Sequence, residues 1–86
     1  MTNKYTKGNK KMEKLIEILK ELHPDVDFEN EEGLIDNGIL DSLDIVTLVT
    51  EIDSEFDVRI PPEEIVPENF NSARVLFELI EKLDEA

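Results

Sequence analysis

Cysteine is absent from this 86-residue sequence, histidine occurs once, and basic side chains are few. Without cysteine the chain can form no disulfide framework, no thiolate metal site and no cysteine nucleophile, and small secreted domains commonly depend on such cross-links. Long apolar runs are also missing, and the first twelve residues are polar and rich in lysine. These features predict neither a signal peptide nor membrane insertion, so we expect a cytoplasmic protein.

Acidic side chains outnumber basic ones, and the formal net charge is −13. Four lysines lie within the first eleven residues, whereas every Asp and Glu lies from Glu13 onward. Residues 12–86 therefore hold 5 basic and 22 acidic side chains, a net charge of −17. Such a surface repels nucleic acid phosphates and anionic lipid headgroups, so the charge predicts partners with basic docking surfaces. On charge alone, the alternative that acidity only confers solubility stays open.

The length permits one small domain, because chains of this size rarely contain more than one hydrophobic core. Apolar residues make up 40% of the sequence, too many for a disordered chain. Residues 1–10 show no apolar periodicity and contain Gly8, one of three glycines. We predict a disordered N-terminal tail over residues 1–10 and a single folded domain over residues 11–86.

Two amphipathic helices are predicted in the first two thirds of the sequence. Apolar residues recur at helical spacing from Lys11 to Leu22, just before the first proline. A second helix is predicted to begin at Asp41 or Ser42, either of which can cap it. It continues to Phe56, since the stretch contains neither glycine nor proline.

The segment between these helices, residues 24–41, is a long loop that we expect to pack against the core. It mixes acids with turn residues, yet it is too apolar for a solvated linker. Its apolar residues are Val26, Phe28, Leu34, Ile35, Ile39 and Leu40.

Prolines organise the second half of the sequence. Residues 57–61 are predicted to be extended, because a residue that precedes proline avoids the helical region. A short helix is predicted from Pro62 to Val66, ended by Pro67, and Ser72 is expected to cap a last helix. Residues 58–60 have no partner strand. The predicted fold class is therefore all-α, a four-helix bundle with a long first loop and a short third helix.

Two candidate sites, a calcium loop and a catalytic histidine, are not supported by the residues present. Residues 25–36 place acids as a calcium loop does, but Asn30 stands where the sharp turn needs glycine and Asp36 where a bidentate glutamate is needed. His23 lies at a helix end, where compensation of the helix dipole explains it. No nucleophile has a recognisable base nearby. We predict no metal site, no catalytic residue and no enzyme activity.

The second helix has an unusual outer face. Leu43 lies opposite the stripe expected to be buried, and together with Val46 and Thr50 it forms what we term the docking strip. Acidic residues surround this strip: Asp44, Glu51 and Asp53. The alternative is that Leu43 covers the loop of residues 24–41. Ser42 also has two interpretations, as a simple N-cap or as a place for a phosphate ester at the positive end of a helix.

The run Asp41-Ser42-Leu43-Asp44 at the start of an acidic helix resembles the attachment motif of the acyl carrier proteins. The resemblance extends from Lys11 to Leu83. It implies that the motif serine, here Ser42, receives 4′-phosphopantetheine from coenzyme A through a magnesium-dependent phosphopantetheinyl transferase, also called holo-acyl carrier protein synthase. The thiol of that arm would then hold acyl or aminoacyl groups as thioesters.

The resemblance also implies a partner-binding surface around Ser42. Its expected members are Asp41, Leu43, Asp44, Val46, Thr50, Glu51, Asp53, Ile60 and Ile65. The expected partners are the transferase and acyl or aminoacyl ligases, synthases and transferases with basic docking surfaces.

Departures from the family pattern concern the cargo. Residues 38–42 read Gly-Ile-Leu-Asp-Ser, a form similar to that of D-alanyl carrier proteins and other stand-alone carriers. Thr47 and Ser54 occupy positions where fatty-acid carriers usually have acids. Phe70 stands where D-alanyl carriers commonly have tryptophan. The sequence thus leaves the cargo open between acyl and aminoacyl groups.

We therefore predict a monomeric acyl carrier protein that serves fatty acid, polyketide or related biosynthesis. One alternative is an aminoacyl carrier of the D-alanyl type, for modification of a cell-wall polymer or for peptide synthesis. Another is an unmodified acidic helical adaptor that docks basic proteins through the docking strip.

Overall fold

Four α-helices and one 3-10 turn make up the fold in a computed structural model that describes residues 3–85 and the side chains of residues 10–84. The helices are α1 (Asn3–Leu22), α2 (Ser42–Phe56), α3 (Pro67–Phe70) and α4 (Ala73–Glu85), and the 3-10 turn spans Pro62–Glu64. Residues 3–85 contain no strand, which confirms the all-α class. None of the helices in that range combines the length and apolar character needed to cross a membrane.

Helix α1 begins at Asn3, eight residues before the predicted start at Lys11, and ends at Leu22 as predicted. The earlier start is consistent with the local sequence, because residues 3–10 contain no proline and several lysines, which are good helix formers. Residues 1 and 2 of the predicted tail lie outside the described residues. The division of the chain at residue 11 stays a prediction.

Helix α2 has the predicted bounds, with Asp41 as its N-cap. At its C-terminal end Asp57 adopts a left-handed conformation (φ 57°) and donates its backbone N–H to the Asp53 carbonyl. This conformation stops the helix and turns the chain into the extended segment that follows. Val58 and Ile60 then point into the core.

The region of the predicted third helix differs from the expectation. The helix predicted from Pro62 to Val66 is only a 3-10 turn, Pro62–Glu64, and α3 starts at Pro67, where the prediction had a helix end. Proline lacks the N–H that a helix does not use at its first position, so Pro67 suits the start of α3, whereas the 3-10 turn already ends at Glu64. The Asn69 side-chain amide donates to the Glu64 carbonyl (2.8 Å) and ties the two elements together.

The core receives side chains from every helix and from the loop of residues 24–41. Its largest fully buried side chains are Phe28, Phe70, Leu15, Leu19, Leu34, Leu48, Ile52, Leu76 and Ile80. Phe28 and Leu34 belong to the loop, which confirms that the loop packs. Ser72 is buried too and accepts the Val75 N–H (3.1 Å), as expected for the cap of α4.

Substitution of a buried and of an exposed leucine tests how much the packed loop contributes to stability. Leu34 has no exposed surface, whereas Leu43 is 74% exposed. We expect Leu34→Ala to lower the free energy of unfolding by about 2–5 kcal/mol through lost burial and a residual cavity. Leu43→Ala should change it by no more than about 0.5 kcal/mol. Urea denaturation followed by circular dichroism measures both. Equal effects of the two substitutions would contradict a core that depends on the loop.

Candidate functional site

Ser42 is the first residue of α2, and its side chain is exposed. The cap that starts the helix is formed by Asp41, whose side chain accepts the Asp44 N–H (2.9 Å). In return, the Asp44 carboxylate accepts the Asp41 N–H (3.3 Å). These reciprocal bonds form a capping box, so the interpretation of Ser42 as the N-cap is wrong. The Ser42 hydroxyl stands at a fixed helix end without serving as its cap.

The electrostatics of this helix end suit an anion. The N–H groups of a first helical turn have no acceptors within the helix, and the helix dipole places positive charge there. A phosphate ester on Ser42 would therefore lie where backbone donors and the dipole stabilise it.

An apolar groove of about 340 Å³ opens beside Ser42. One wall comes from the loop before α2 and the other from the segment between the 3-10 turn and the end of α3. The lining residues are Ile35, Leu40, Asp41, Ser42, Ile45, Ile65, Val66, Pro67 and Phe70. An elongated and largely neutral group attached to Ser42 could lie along this groove, whose lining beyond Asp41 and Ser42 is apolar.

Asp44 is held from two directions. Its carboxylate receives the Asp41 N–H and lies 2.8 Å from the Nε2 atom of His23, which follows the end of α1. Partial burial would by itself raise the pKa of Asp44, but the hydrogen bonds with His23 and Asp41 outweigh it and hold that pKa below its usual value. The sequence explained His23 only by the dipole of its own helix. A contact across 21 residues leaves no local signal that could have revealed it.

The docking strip is on the surface. Leu43 is 74% exposed and Val46 is 61% exposed, so the alternative that Leu43 covers the long loop is wrong. Thr50 is exposed as well, and its hydroxyl donates to the Val46 carbonyl (3.0 Å). Ile65 and Val66 extend the exposed apolar surface on the other side of the groove.

The other predicted partner-binding residues occupy different environments. Asp41 and Asp53 are exposed and Glu51 is half-buried. The Asp44 side chain is only 19% exposed and already engaged by His23. Ile60 is 4% exposed and belongs to the core, so its assignment to the partner surface is corrected. Alternation explains that burial: extended residues point to opposite faces in turn, and here Arg59 takes the outer one.

No local sequence pattern marks Asn71 as a residue of this site. It lies between α3 and α4 and forms hydrogen bonds with the loop that leads to Ser42.

The segment of residues 25–36, which resembles a calcium loop in its spacing of acids, has an Asn30 amide that donates to Asp27 (2.7 Å). Residues 10–84 hold no cluster of three or more side chains able to bind a metal ion.

Comparison with known proteins places these features in a family. Residues 12–80 match the family described as Phosphopantetheine attachment site. The chain belongs to the phosphopantetheine carrier proteins. Its cofactor is a covalently attached 4′-phosphopantetheine group, which an exposed serine hydroxyl at a helix N-terminus beside an apolar groove can accommodate.

Several relatives carry the name D-alanyl carrier protein. The protein from Streptococcus thermophilus is 38% identical over 73 residues, which cover 84% of this chain and 92% of the relative. Those from Streptococcus sanguinis and Streptococcus gordonii are each 37% identical over the same shares. The similarity thus extends over most of both sequences.

The low pKa of Asp44 has a consequence for stability. A carboxyl group whose pKa is lower in the folded state stabilises that state above its ordinary pKa of 3.8, and the contribution disappears as pH falls through the folded pKa. We expect Asp44→Asn to lose about 1 kcal/mol at pH 7, the usual scale of a capping interaction. The stability of the variant should also fall less steeply than that of wild type as pH decreases, because the share of the loss that Asp44 causes is absent.

Thermal unfolding of wild type and variant between pH 2.5 and pH 7 measures this difference. Asp53→Asn is the matched control, because it removes the same charge from an exposed position on the same helix. Indistinguishable pH profiles for the two variants would show that Asp44 contributes only to the overall charge.

Proposed function

We propose that Ser42 is the residue that carries 4′-phosphopantetheine and that this protein is an aminoacyl carrier of the D-alanyl type. The observation that carries the proposal is the position of Ser42. Its hydroxyl is exposed at the first residue of α2, while Asp41 performs the capping. Because Ser42 does not cap the helix, its hydroxyl is available for a phosphate ester, which the positive end of the helix stabilises.

The bound arm supplies a thiol that holds a carboxylic acid as a thioester. The Ser42 oxygen would lose its proton and attack the phosphorus on the pantetheine side of the pyrophosphate in coenzyme A. The phosphoester bond to Ser42 would form as the pyrophosphate bond breaks, and adenosine 3′,5′-bisphosphate would leave. The two carboxylates nearest in sequence, those of Asp41 and Asp44, already accept hydrogen bonds within the capping box. We infer that the base and the magnesium come from the transferase and that the carrier itself is not an enzyme.

Two observations favour D-alanine over a fatty acyl cargo. Relatives named D-alanyl carrier protein match 84% of the chain. The run Gly-Ile-Leu-Asp-Ser at residues 38–42 also has the form that resembles those carriers. Delivery of D-alanine to a cell-wall polymer is therefore the proposed role, in place of the fatty acid role expected first.

Partner recognition is proposed to use two kinds of contact. Leu43 and Val46 project apolar side chains that can fill shallow pockets on a partner. Asp41 and Asp53 are exposed acids beside them and can meet basic side chains. Asp44 is excluded from the second group, because it is half-buried and bonded to His23.

Intact-mass analysis tests the attachment residue. Incubation with coenzyme A, magnesium and a broad-specificity phosphopantetheinyl transferase should add one phosphopantetheine group to wild type. Ser42→Ala should gain nothing. Ser54→Ala, an exposed serine later in α2, should gain one group like wild type. Folded wild-type protein that remains unmodified would contradict the carrier function and favour the unmodified adaptor.

The modified protein then distinguishes the cargo. With ATP, a ligase that charges D-alanyl carrier proteins should add one D-alanyl group that hydroxylamine removes, as expected for a thioester. A ligase that charges carriers with long-chain fatty acids should add little under the same conditions. Preferential charging with the fatty acid would overturn the proposed cargo and leave the attachment residue standing.

The two kinds of contact should differ in their response to salt. Asp53→Arg should slow association with the transferase at low ionic strength and matter less at 1 M salt, where the screening length falls to about 3 Å. Leu43→Ala should accelerate dissociation with little dependence on salt. Surface plasmon resonance at several salt concentrations measures both rates. Equal salt sensitivity of the two variants would contradict the separation into acidic and apolar contacts.

A further inference from the structure

One side chain, that of Asn71, joins the α3–α4 junction to the loop before Ser42. Its Oδ1 atom accepts the backbone N–H groups of Ile35 (2.9 Å) and Asp36 (3.0 Å). Its Nδ2 group donates to the Asp36 carboxylate (3.2 Å), and its backbone carbonyl accepts the Leu34 N–H (2.8 Å). Four hydrogen bonds thus connect one residue to three consecutive residues of the loop. We term this set the Asn71 bridge.

The loop segment held by the bridge leads directly to the attachment site. The Leu40 N–H donates to the Leu34 carbonyl (2.9 Å), and the Gly38 N–H donates to the Ile35 carbonyl (3.0 Å). Gly38 has φ +73°, which permits the sharp turn between them. Residues 34–40 are therefore closed on themselves, and Asp41 and Ser42 follow without an intervening residue. Hydrogen bonds that hold residues 34–36 in place therefore also restrict Leu40 and the start of α2.

The bridge also connects the two walls of the groove beside Ser42. Ile35 and Leu40 belong to the loop wall. Pro67 and Phe70 belong to the opposite wall, and Asn71 follows Phe70 in the chain. A change in the bridge therefore alters both the position of Ser42 and the separation of the walls.

We propose that Asn71 is a positioning residue for the modification of Ser42. The proposal rests on Ser42 being the attachment residue. Through residues 34–40, Asn71 sets where the Ser42 hydroxyl stands relative to the opposite wall of the groove, which Pro67 and Phe70 line. Leu43 and Val46 lie on the same helix as Ser42 and keep their spacing from it, so loss of the bridge should affect the reaction after docking more than docking itself.

An exchange of carboxylate and amide provides the test. Asn71→Asp keeps an acceptor for the two N–H groups but sets two carboxylates against each other. The double substitution Asp36→Asn with Asn71→Asp restores the donor and acceptor on opposite sides and keeps the wild-type net charge. Asn71→Ser is a milder second variant that removes the amide donor and shortens the side chain that accepts the two N–H groups, without adding charge.

The measurements are kcat and KM for each carrier variant as substrate of the phosphopantetheinyl transferase. We expect kcat to fall about tenfold for Asn71→Asp and somewhat less for Asn71→Ser, since small misplacements of a reacting group are costly. KM should stay within about twofold of wild type. The double substitution should recover most of the lost kcat. Circular dichroism at the assay temperature checks that each variant is folded.

A control separates positioning from general loss of stability. Phe56→Leu alters a half-buried side chain at the far end of α2, about 21 Å along the helix from Ser42. It should lower the unfolding temperature yet leave kcat unchanged. Wild-type kcat in folded Asn71→Ser, or no recovery in the double substitution, would overturn the positioning role. Failure of wild type itself to be modified would instead overturn the proposed attachment at Ser42, and the positioning role with it.

Discussion

The reciprocal hydrogen bonds between Asp41 and Asp44 fix the point where α2 begins, and the rest of the site depends on that point. Burial of Leu48 and Ile52 sets the rotation of α2, whereas the capping box sets the residue at which the helix begins. If the helix began one residue later, Ser42 would lie outside the first turn, where the free N–H groups are. The capping box thus determines how the helix presents Ser42. It also leaves the serine hydroxyl uncommitted, because the aspartate before it satisfies the backbone.

Two longer-range contacts secure this helix start. His23 reaches Asp44 from the end of α1, and Asn71 reaches the preceding loop from the α3–α4 junction. Both contacts end on short polar side chains or on backbone groups, where geometry is restrictive. The hydrophobic core alone would tolerate small sliding of the loop, because apolar packing has no direction. Directional bonds at the rim of the core supply the precision that an attachment site needs.

The sequence predicted those parts of the fold that local pattern controls. Helix α2 and the cap of α4 follow from capping residues and apolar spacing, and the exposure of Leu43 and Val46 follows from their place on that helix. The interpretation of Pro67 as a helix end is wrong, because proline is equally suited to the first position of a helix and here begins α3. Apolar periodicity does not reveal the start of α1 at Asn3, because residues 3–10 have none. The partners of His23 and Asn71 lie 21 and 35 or 36 residues away, where no local pattern can identify them.

The acids of this chain have opposing effects on stability and on accessibility to a partner. Residues 12–86 carry a net charge of −17, and repulsion among those charges opposes compaction of a small core. Acids that accept hydrogen bonds, such as Asp44, offset part of that repulsion, but a bonded acid is less accessible to a partner. Exposed acids such as Asp53 stay accessible to a partner, and repulsion among them has some cost in stability. Near Ser42 the chain therefore uses its innermost acid for structure and leaves its outer acids exposed for the proposed recognition of partners. Under the proposed function this separation is an advantage, because a partner with a basic surface can engage the outer acids without disturbing the helix start that presents Ser42.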